Sequence, residues 1–446
     1  IGTVDSCNRP VIELDIGQKS LVTAEEAALH ERIFELHGPS GRQSIPVMGG
    51  ESERRHGDHH DQHQQQNHAA SIQIRSSWQE KLIKRASGVD MAERKREPSP
   101  MTTQKDVEVP RFDRRTFGTE HRFALIGTGS VGGKAVGLLQ IRSEILPRFD
   151  GARFEGVTVD VPPAVVVATD VFSEFMDRNR LWDRVLSGIP DSQIAHEFQR
   201  GELTEDLRGE LRALLEILSA PLAIRPSSFL EDTEERPFAG IYTSKLIPNS
   251  ETSDRARYQR LSSAVKLAWA STFFENALVS RRACGLADDA EKMAVIIQEI
   301  TGTRHGAHFY PTVSGLARSF NHYPVPGNKR EDGVVSVALG LGKTITDGDH
   351  VWSYSPHRVT APPPFKNTSQ LLKYTQNSFW AVNVGEPPPP DPIRETACLV
   401  RCGLGDAEND GTLKFLASTW DPASDQLRTG ITGNGPRALT FAPLLE

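Results

Sequence analysis

The run Phe123–Leu138, FALIGTGSVGGKAVGL, restricts the possible folds of this chain more than any other segment of it. Phe123–Ile126 reads as a buried strand. The loop GTGSVGG follows, and Lys134 opens a helix expected to reach about Leu146. A glycine-rich turn between strand and helix frees backbone amides beside the positive end of a helix, where an anion is favoured, and a phosphate group is the natural guest. Two familiar phosphate loops fit incompletely. Gly127, Gly129 and Gly132 satisfy the dinucleotide spacing, but the acid that would bind a ribose, Asp160, comes too late and precedes a proline pair. The P-loop pattern fails at Thr128, where it requires glycine, and at Ala135, where it requires Ser or Thr. A plain structural turn with a solvated Lys134 is the remaining alternative.

Downstream, strand and helix signals alternate, which predicts an α+β or α/β domain. Strands are expected at Val161–Thr169, Pro221–Arg225, Met293–Ile300, Ala307–Tyr310 and Val334–Leu339. Thr169 or Asp170 is placed to cap a helix whose Phe172, Phe175 and Met176 share a face. One amphipathic helix is read across Ala264–Arg282. The proline runs Ala361–Pro364 and Pro387–Pro390 must be extended and are expected to bracket a mobile surface excursion.

Residues 1–118 have a different texture. Glu51–Asn67, ESERRHGDHHDQHQQQN, offers no aliphatic side chain to offset chain entropy, and the whole segment is expected to be largely disordered. One short helix is expected at Thr23–Leu36. His56, His59, His60, His63 and His68 are able to chelate a metal, but a polar linker explains them more simply. The chain begins at Ile1 rather than methionine, as a fragment does. Its 51 basic and 58 acidic residues form no long single-sign block, which argues against a nucleic-acid partner. No apolar run is long enough to span a membrane, and the four cysteines are too few for a disulfide scaffold, so a soluble, cytoplasmic protein is expected. Cys398 and Cys402 lack the further ligands of a zinc site.

Taken together, GGKAVGL at Gly132–Leu138, VPPAVVVATDVFSEFM at Val161–Met176, AIRPSSFLEDTEERPFAGIYTS at Ala223–Ser244, MAVIIQEI at Met293–Ile300, YPTVSGLA at Tyr310–Ala317 and ALGLGKTITDG at Ala338–Gly348 resemble the nucleotide-binding domain of the phosphoenolpyruvate synthase and pyruvate phosphate dikinase family. The resemblance covers residues 119 to the C-terminus. It implies an α+β, ATP-grasp-like fold of two lobes, 119–230 and 231–446, with the second incomplete. It implies ATP and Mg²⁺ as cofactors. By the same resemblance Lys134 and Arg225 are the catalytic cations on the phosphates. Gly132, Gly133, Gly240 and Ser244 line the phosphate side, while Gln298, Glu299 and Ile300 present hydrogen-bonding groups to the adenine edge. Glu231 and Asp232 either brace the arginine loop or are simply exposed loop acids.

The departures are specific. The family's magnesium-binding acid and its Gln-x-Arg-Pro motif are not found before Glu446, which leaves the metal ligands unassigned. Pro226 stands where the family has the first serine of Arg-Ser-Ser. The phosphohistidine and pyruvate/phosphoenolpyruvate domains are absent from this sequence. The resemblance therefore implies the ATP-binding part of a pyruvate, water dikinase-like phosphotransferase, inactive in isolation. The alternatives are a degenerate nucleotide-sensing or interaction module and, from the glycine spacing alone, a dinucleotide-dependent oxidoreductase.

Overall fold

The computed structural model describes residues 12–15, 109–154, 156–230, 240–359, 365, 367–389, 391 and 393–445. The Thr23–Leu36 helix, the histidine group and the Ala361–Pro364 run lie outside the described residues. The described chain mixes helices and sheets, as an α+β protein does.

The first sheet has five strands in the order β2-β3-β6-β4-β5. These are β2 (Phe123–Ile126), β3 (Ala164–Val167), β4 (Leu222–Ser227), β5 (Lys245–Ile247) and β6 (Ala294–Glu299). Strand β2 runs parallel to β3, and the other pairings are antiparallel. Strands from either side of residue 230 thus share one sheet. β3 is Ala-Val-Val-Val and every residue of it is buried, as expected where both faces of a strand are covered. It is shorter than the run Val161–Thr169 suggests, because Pro162 and Pro163 have no N–H to give a ladder.

Each face of this sheet has its own cover. On one face Val165, Val167, Leu222, Ile224, Val295 and Ile297 pack beneath a layer of six helices. These are α2 (Thr169–Arg178), α3 (Trp182–Val185), α4 (Asp191–Arg200), α5 (Glu205–Ile217), α6 (Asp254–Ala270) and α7 (Glu275–Ala283). Its centre is aromatic: Phe172 meets Trp182, Trp269 and Phe273 with ring centroids 6.1–6.3 Å apart. On the other face α1 (Gly132–Gln140) lays Ala135 and Leu139 on Phe123, Ala164, Val166, Ala294 and Ile296. After Gln140 the helix loosens into a π turn, Ile141–Ile145, and a 3-10 turn, Leu146–Arg148.

The single helix read across Ala264–Arg282 is in fact α6 and α7, separated by a 3-10 turn at Ser271–Phe273 and an extended Phe274. The Ser271 hydroxyl donates back to the Ala268 carbonyl at 2.7 Å, which competes with helix continuation. Both helices meet the same core, so the apolar period carries on through the break.

The strands from Thr303 onward, with β1, form three further sheets; this part is called the second lobe below, and the part built on the first sheet the first lobe. One has the order β13-β12-β8-β7, from β7 (Thr303–His305), β8 (His308–Tyr310), β12 (Ser378–Asn383) and β13 (Leu399–Gly403). Another joins β9 (Val313–Arg318), β10 (Val334–Ala338) and β11 (Trp352–Tyr354), with β1 (Ile12–Asp15) lying parallel on β9. The third joins β14 (Ala417–Asp421), β15 (Gln426–Thr429) and β16 (Arg437–Leu439). Alternation along β12 divides its side chains. Phe379 and Ala381 enter the core of this lobe, while Trp380 and Val382 pack towards Ala223 and Leu246 of the first sheet. No helix among the described residues is long and apolar enough to cross a membrane.

Candidate nucleotide site

Alternation along β4 and β6 builds the site. Ala223, Arg225 and Ser227 share one face of β4, opposite Gln298, Ile296 and Ala294 of β6. This is the face that carries α1 over Ala294 and Ile296 and the second lobe over Ala223. Arg225 and Gln298 occupy the strip between those two covers. Arg225 is partly exposed, and its side chain makes no hydrogen bond or ion pair among the described residues. Lys134, in the first turn of α1, reaches towards the same strand end and donates from Nζ to the Pro226 carbonyl at 3.3 Å. Pro226 thus withholds an N–H but offers an oxygen to the lysine. Strand β5 pairs with β4 only as far as Ile224, so the proline sits beyond the paired region on that side.

The glycine loop is held differently from an amide cradle for phosphate. The Thr128 N–H and hydroxyl both donate to Asp170 Oδ2, at 2.7 and 2.8 Å. Ser130 N–H donates to Thr169 Oγ1 at 3.0 Å. Gly133 N–H donates to the Ser228 carbonyl and Ala135 N–H to Ser227 Oγ, each at 3.1 Å. These four amides have protein acceptors. Glycine is needed at Gly129 and Gly132 because protein atoms of Thr169, Asp170 and Ser227 come close.

Thr169 and Asp170, read from sequence as helix caps, instead pin the glycine loop, and the residue at the N-cap of α2 is Ala168. Burial pushes the Asp170 carboxyl up, but the hydrogen bonds from Thr128 and neighbouring amides outweigh it and hold the group below the usual carboxylate range. A carboxyl with a depressed folded pKa stabilises the protein above its unfolded value of about 4 and loses that contribution as pH falls through the folded value. Asp170→Ala is therefore expected to cost about 1–2 kcal/mol at neutral pH. In urea titrations the gap to wild type should close below about pH 4, and a gap independent of pH would contradict the assignment.

The remaining sequence-derived residues are more dispersed. Gly132 lies against Ser227, and Gly133 is joined to Ser228. Gln298 is buried, with its amide donating to the Pro162 carbonyl at 3.4 Å. The Glu299 and Ile300 amides donate to the Pro163 and Pro221 carbonyls at 3.0 and 2.8 Å. Ile300 also packs with Leu341, Val382 and Val384 between the lobes. Gly240 has φ +75° with no described residue close to where a side chain would start, and Ser244 immediately precedes β5. Glu231 and Asp232 lie outside the described residues. Asp160, the rejected ribose ligand, pairs with Arg122 near the start of β2. A cavity of about 470 Å³ beside Arg184, His196 and Arg200 belongs to the opposite, helical face of the sheet.

An α+β chain with a basic strip on a sheet face, between a glycine-loop helix and a second lobe, is of the nucleotide-binding class. The model of the family described as "Pyruvate phosphate dikinase, AMP/ATP-binding domain" matches residues 128–361, just over half of the sequence, and the chain belongs to that family. It is 27% identical over 240 residues to the phosphoenolpyruvate synthase of Aeropyrum pernix, covering 49% of this chain and 25% of that one. Over 216 residues it is 26% identical to the rifampicin phosphotransferase of Streptomyces sviceus, covering 44% and 22% of the two chains. The probable phosphoenolpyruvate synthase of Staphylothermus marinus is 24% identical over 212 residues, 43% of this chain and 23% of its own. The chain thus spans about a quarter of the length of these relatives. It carries an ATP-binding domain of the pyruvate phosphate dikinase and phosphoenolpyruvate synthase type.

Proposed function

We propose that this chain is the ATP-binding part of a phosphoenolpyruvate synthase-like phosphotransferase, which passes a phosphoryl group from ATP to a histidine on another domain and from there towards pyruvate. The observation that carries the reading is the convergence of Lys134 and Arg225, from α1 and β4, beside a loop whose own amides are engaged. Two cations neutralise the charge that gathers on a transferring phosphoryl group, and Arg225 has hydrogen-bond donors to give it. Gly132 and Gly133 let the lysine turn lie close to β4. Gly240 and Ser244 follow the phosphate side, and Gln298, Glu299 and Ile300 face the base. With its partner domains the protein works in the cytoplasm, on soluble substrates.

Mg²⁺ accompanies ATP in this reading. Among the described residues no three acidic, histidine or cysteine side chains converge. They therefore build no metal cage, and the ion draws its ligands from phosphate oxygens, water and carboxylates beyond these residues, as magnesium commonly does. Bound with ATP, the ion would offset charge on the phosphates.

Isothermal titration with Mg-ATP tests the proposal. Wild type is expected to bind without turnover. Lys134→Ala and Arg225→Ala should each weaken binding by about tenfold or more, since a hydrogen bond to a charged group contributes roughly 1.5–3 kcal/mol. Unchanged affinity in both variants would remove the phosphate assignment.

A further inference from the structure

Beneath the arginine loop lies a carboxylate that the phosphate site does not itself use. Glu291, between α7 and β6, is 3% exposed. Its Oε1 accepts a hydrogen bond from the Ser228 hydroxyl, and its Oε2 accepts one from the Tyr242 hydroxyl at 3.2 Å. Ser228 and Tyr242 bracket residues 229–241, the stretch that bears Glu231, Asp232 and Gly240. Ser228 also accepts the Gly133 N–H, next to Lys134. A single side chain thus ties both ends of the arginine loop and, through Ser228, the start of α1.

We propose that Glu291 is a positioning residue that holds Ser228, Tyr242 and, through Ser228, the Lys134 turn in register for the phosphates of ATP. This rests on the reading of Lys134 and Arg225 as the phosphate cations. A carboxylate suits the task because each of its oxygens can accept from a different hydroxyl. Arg281 of α7, fully buried, supplies the opposite charge. Burial pushes the Glu291 carboxyl up, and the Ser228 hydroxyl, the Arg281 guanidinium and the Tyr242 hydroxyl offset part of that rise. Burial and the neighbouring carboxylate likewise push the Tyr242 hydroxyl up, so it stays a donor at neutral pH. A glutamine of the same size has one acceptor oxygen and leaves Arg281 without its counter-charge.

The test is the affinity for Mg-ATP, measured by calorimetry well below the melting temperature. Glu291→Gln is expected to weaken binding about tenfold, and Glu291→Asp to recover part of the loss. Tyr242→Phe, which removes one hydroxyl and leaves the carboxylate, should weaken binding about threefold. It remains informative if Glu291→Gln does not fold. Leu211→Ala, deep in the helical layer, is the control for lost stability and should bind as wild type. The proposal is overturned if Tyr242→Phe and any folded Glu291 variant bind within measurement error of wild type, or if Leu211→Ala weakens binding as much as they do. Normal binding by Glu291→Gln beside weakened binding by Arg225→Ala would remove only the positioning role. Normal binding by Lys134→Ala and Arg225→Ala would remove the phosphate reading beneath it.

Discussion

Gly132→Ala should unseat the glycine loop and cost roughly 2–4 kcal/mol of stability. Two independent penalties act on it. Gly132 has φ +74°, a conformation an L side chain adopts only with strain. A methyl group there would also lie 2.0 Å from the Ser227 carbonyl oxygen and 2.4 Å from its carbon. Those are main-chain atoms at the end of β4, so no rotamer change relieves the clash, and either α1 or β4 must shift. Gly240→Ala separates the two terms. Gly240 has φ +75° but nothing near the new methyl among the described residues, and its cost should be only about 1 kcal/mol. Urea denaturation of both variants gives the comparison. Because Lys134 sits two residues beyond Gly132, Mg-ATP affinity should fall with the first substitution by at least tenfold. Equal costs for the two alanines would mean that α1 is not pressed against β4 in solution.

The same contact explains which parts of the site the sequence conveyed. The strand at Phe123–Ile126, the glycine turn and the run around Arg225 are local patterns, and each forms where its residues suggest. What approaches the glycines is not local. Gly129 and Gly132 permit a close neighbour, but Asp170 and Ser227 lie about 40 and 95 residues away in sequence, and glycine spacing cannot distinguish a protein carbonyl from a phosphate. Thr169 and Asp170 carried a legible signal, two polar residues opening a helix, but the same groups serve equally for capping that helix or gripping a distant loop. Glu291 carried less, as one acid in the charged run DDAEK. Its importance comes from meeting Ser228 and Tyr242 across 63 and 49 residues. The insertion of β6 between β3 and β4 is equally long-range, since apolar alternation marks a strand without naming its neighbours.

Arg260→Ala is expected to be the most damaging substitution outside the nucleotide site, at about 3–5 kcal/mol. Arg260, on α6 of the first lobe, forms a buried ion pair with Glu251, each side chain less than a tenth exposed. The same guanidinium donates to the Pro388 carbonyl at 2.8 Å and approaches Cys398 Sγ at 3.4 Å. Lys245 joins it from β5, with Nζ donating to the Asp391 and Arg394 carbonyls. The described part of the Pro387–Pro390 run is therefore tethered to the first lobe at Pro388, whose carbonyl accepts from the guanidinium, while Lys245 holds the chain just beyond the run. The segment that the two proline runs bracket, expected to be a mobile surface excursion, carries β12 with Phe379 and Ala381 fully buried, which corrects that expectation. Removing the arginine leaves Glu251 buried and charged without its partner, the costly outcome for such a pair. Replacing both members with apolar residues, Arg260→Met with Glu251→Leu, avoids that penalty and should recover most of the loss. The doubly substituted protein should still lose protection from amide exchange around Cys398 and Leu399, because the Pro388 tether goes with the guanidinium. A single-variant cost below about 1 kcal/mol would place this pair in the weak class of surface ion pairs.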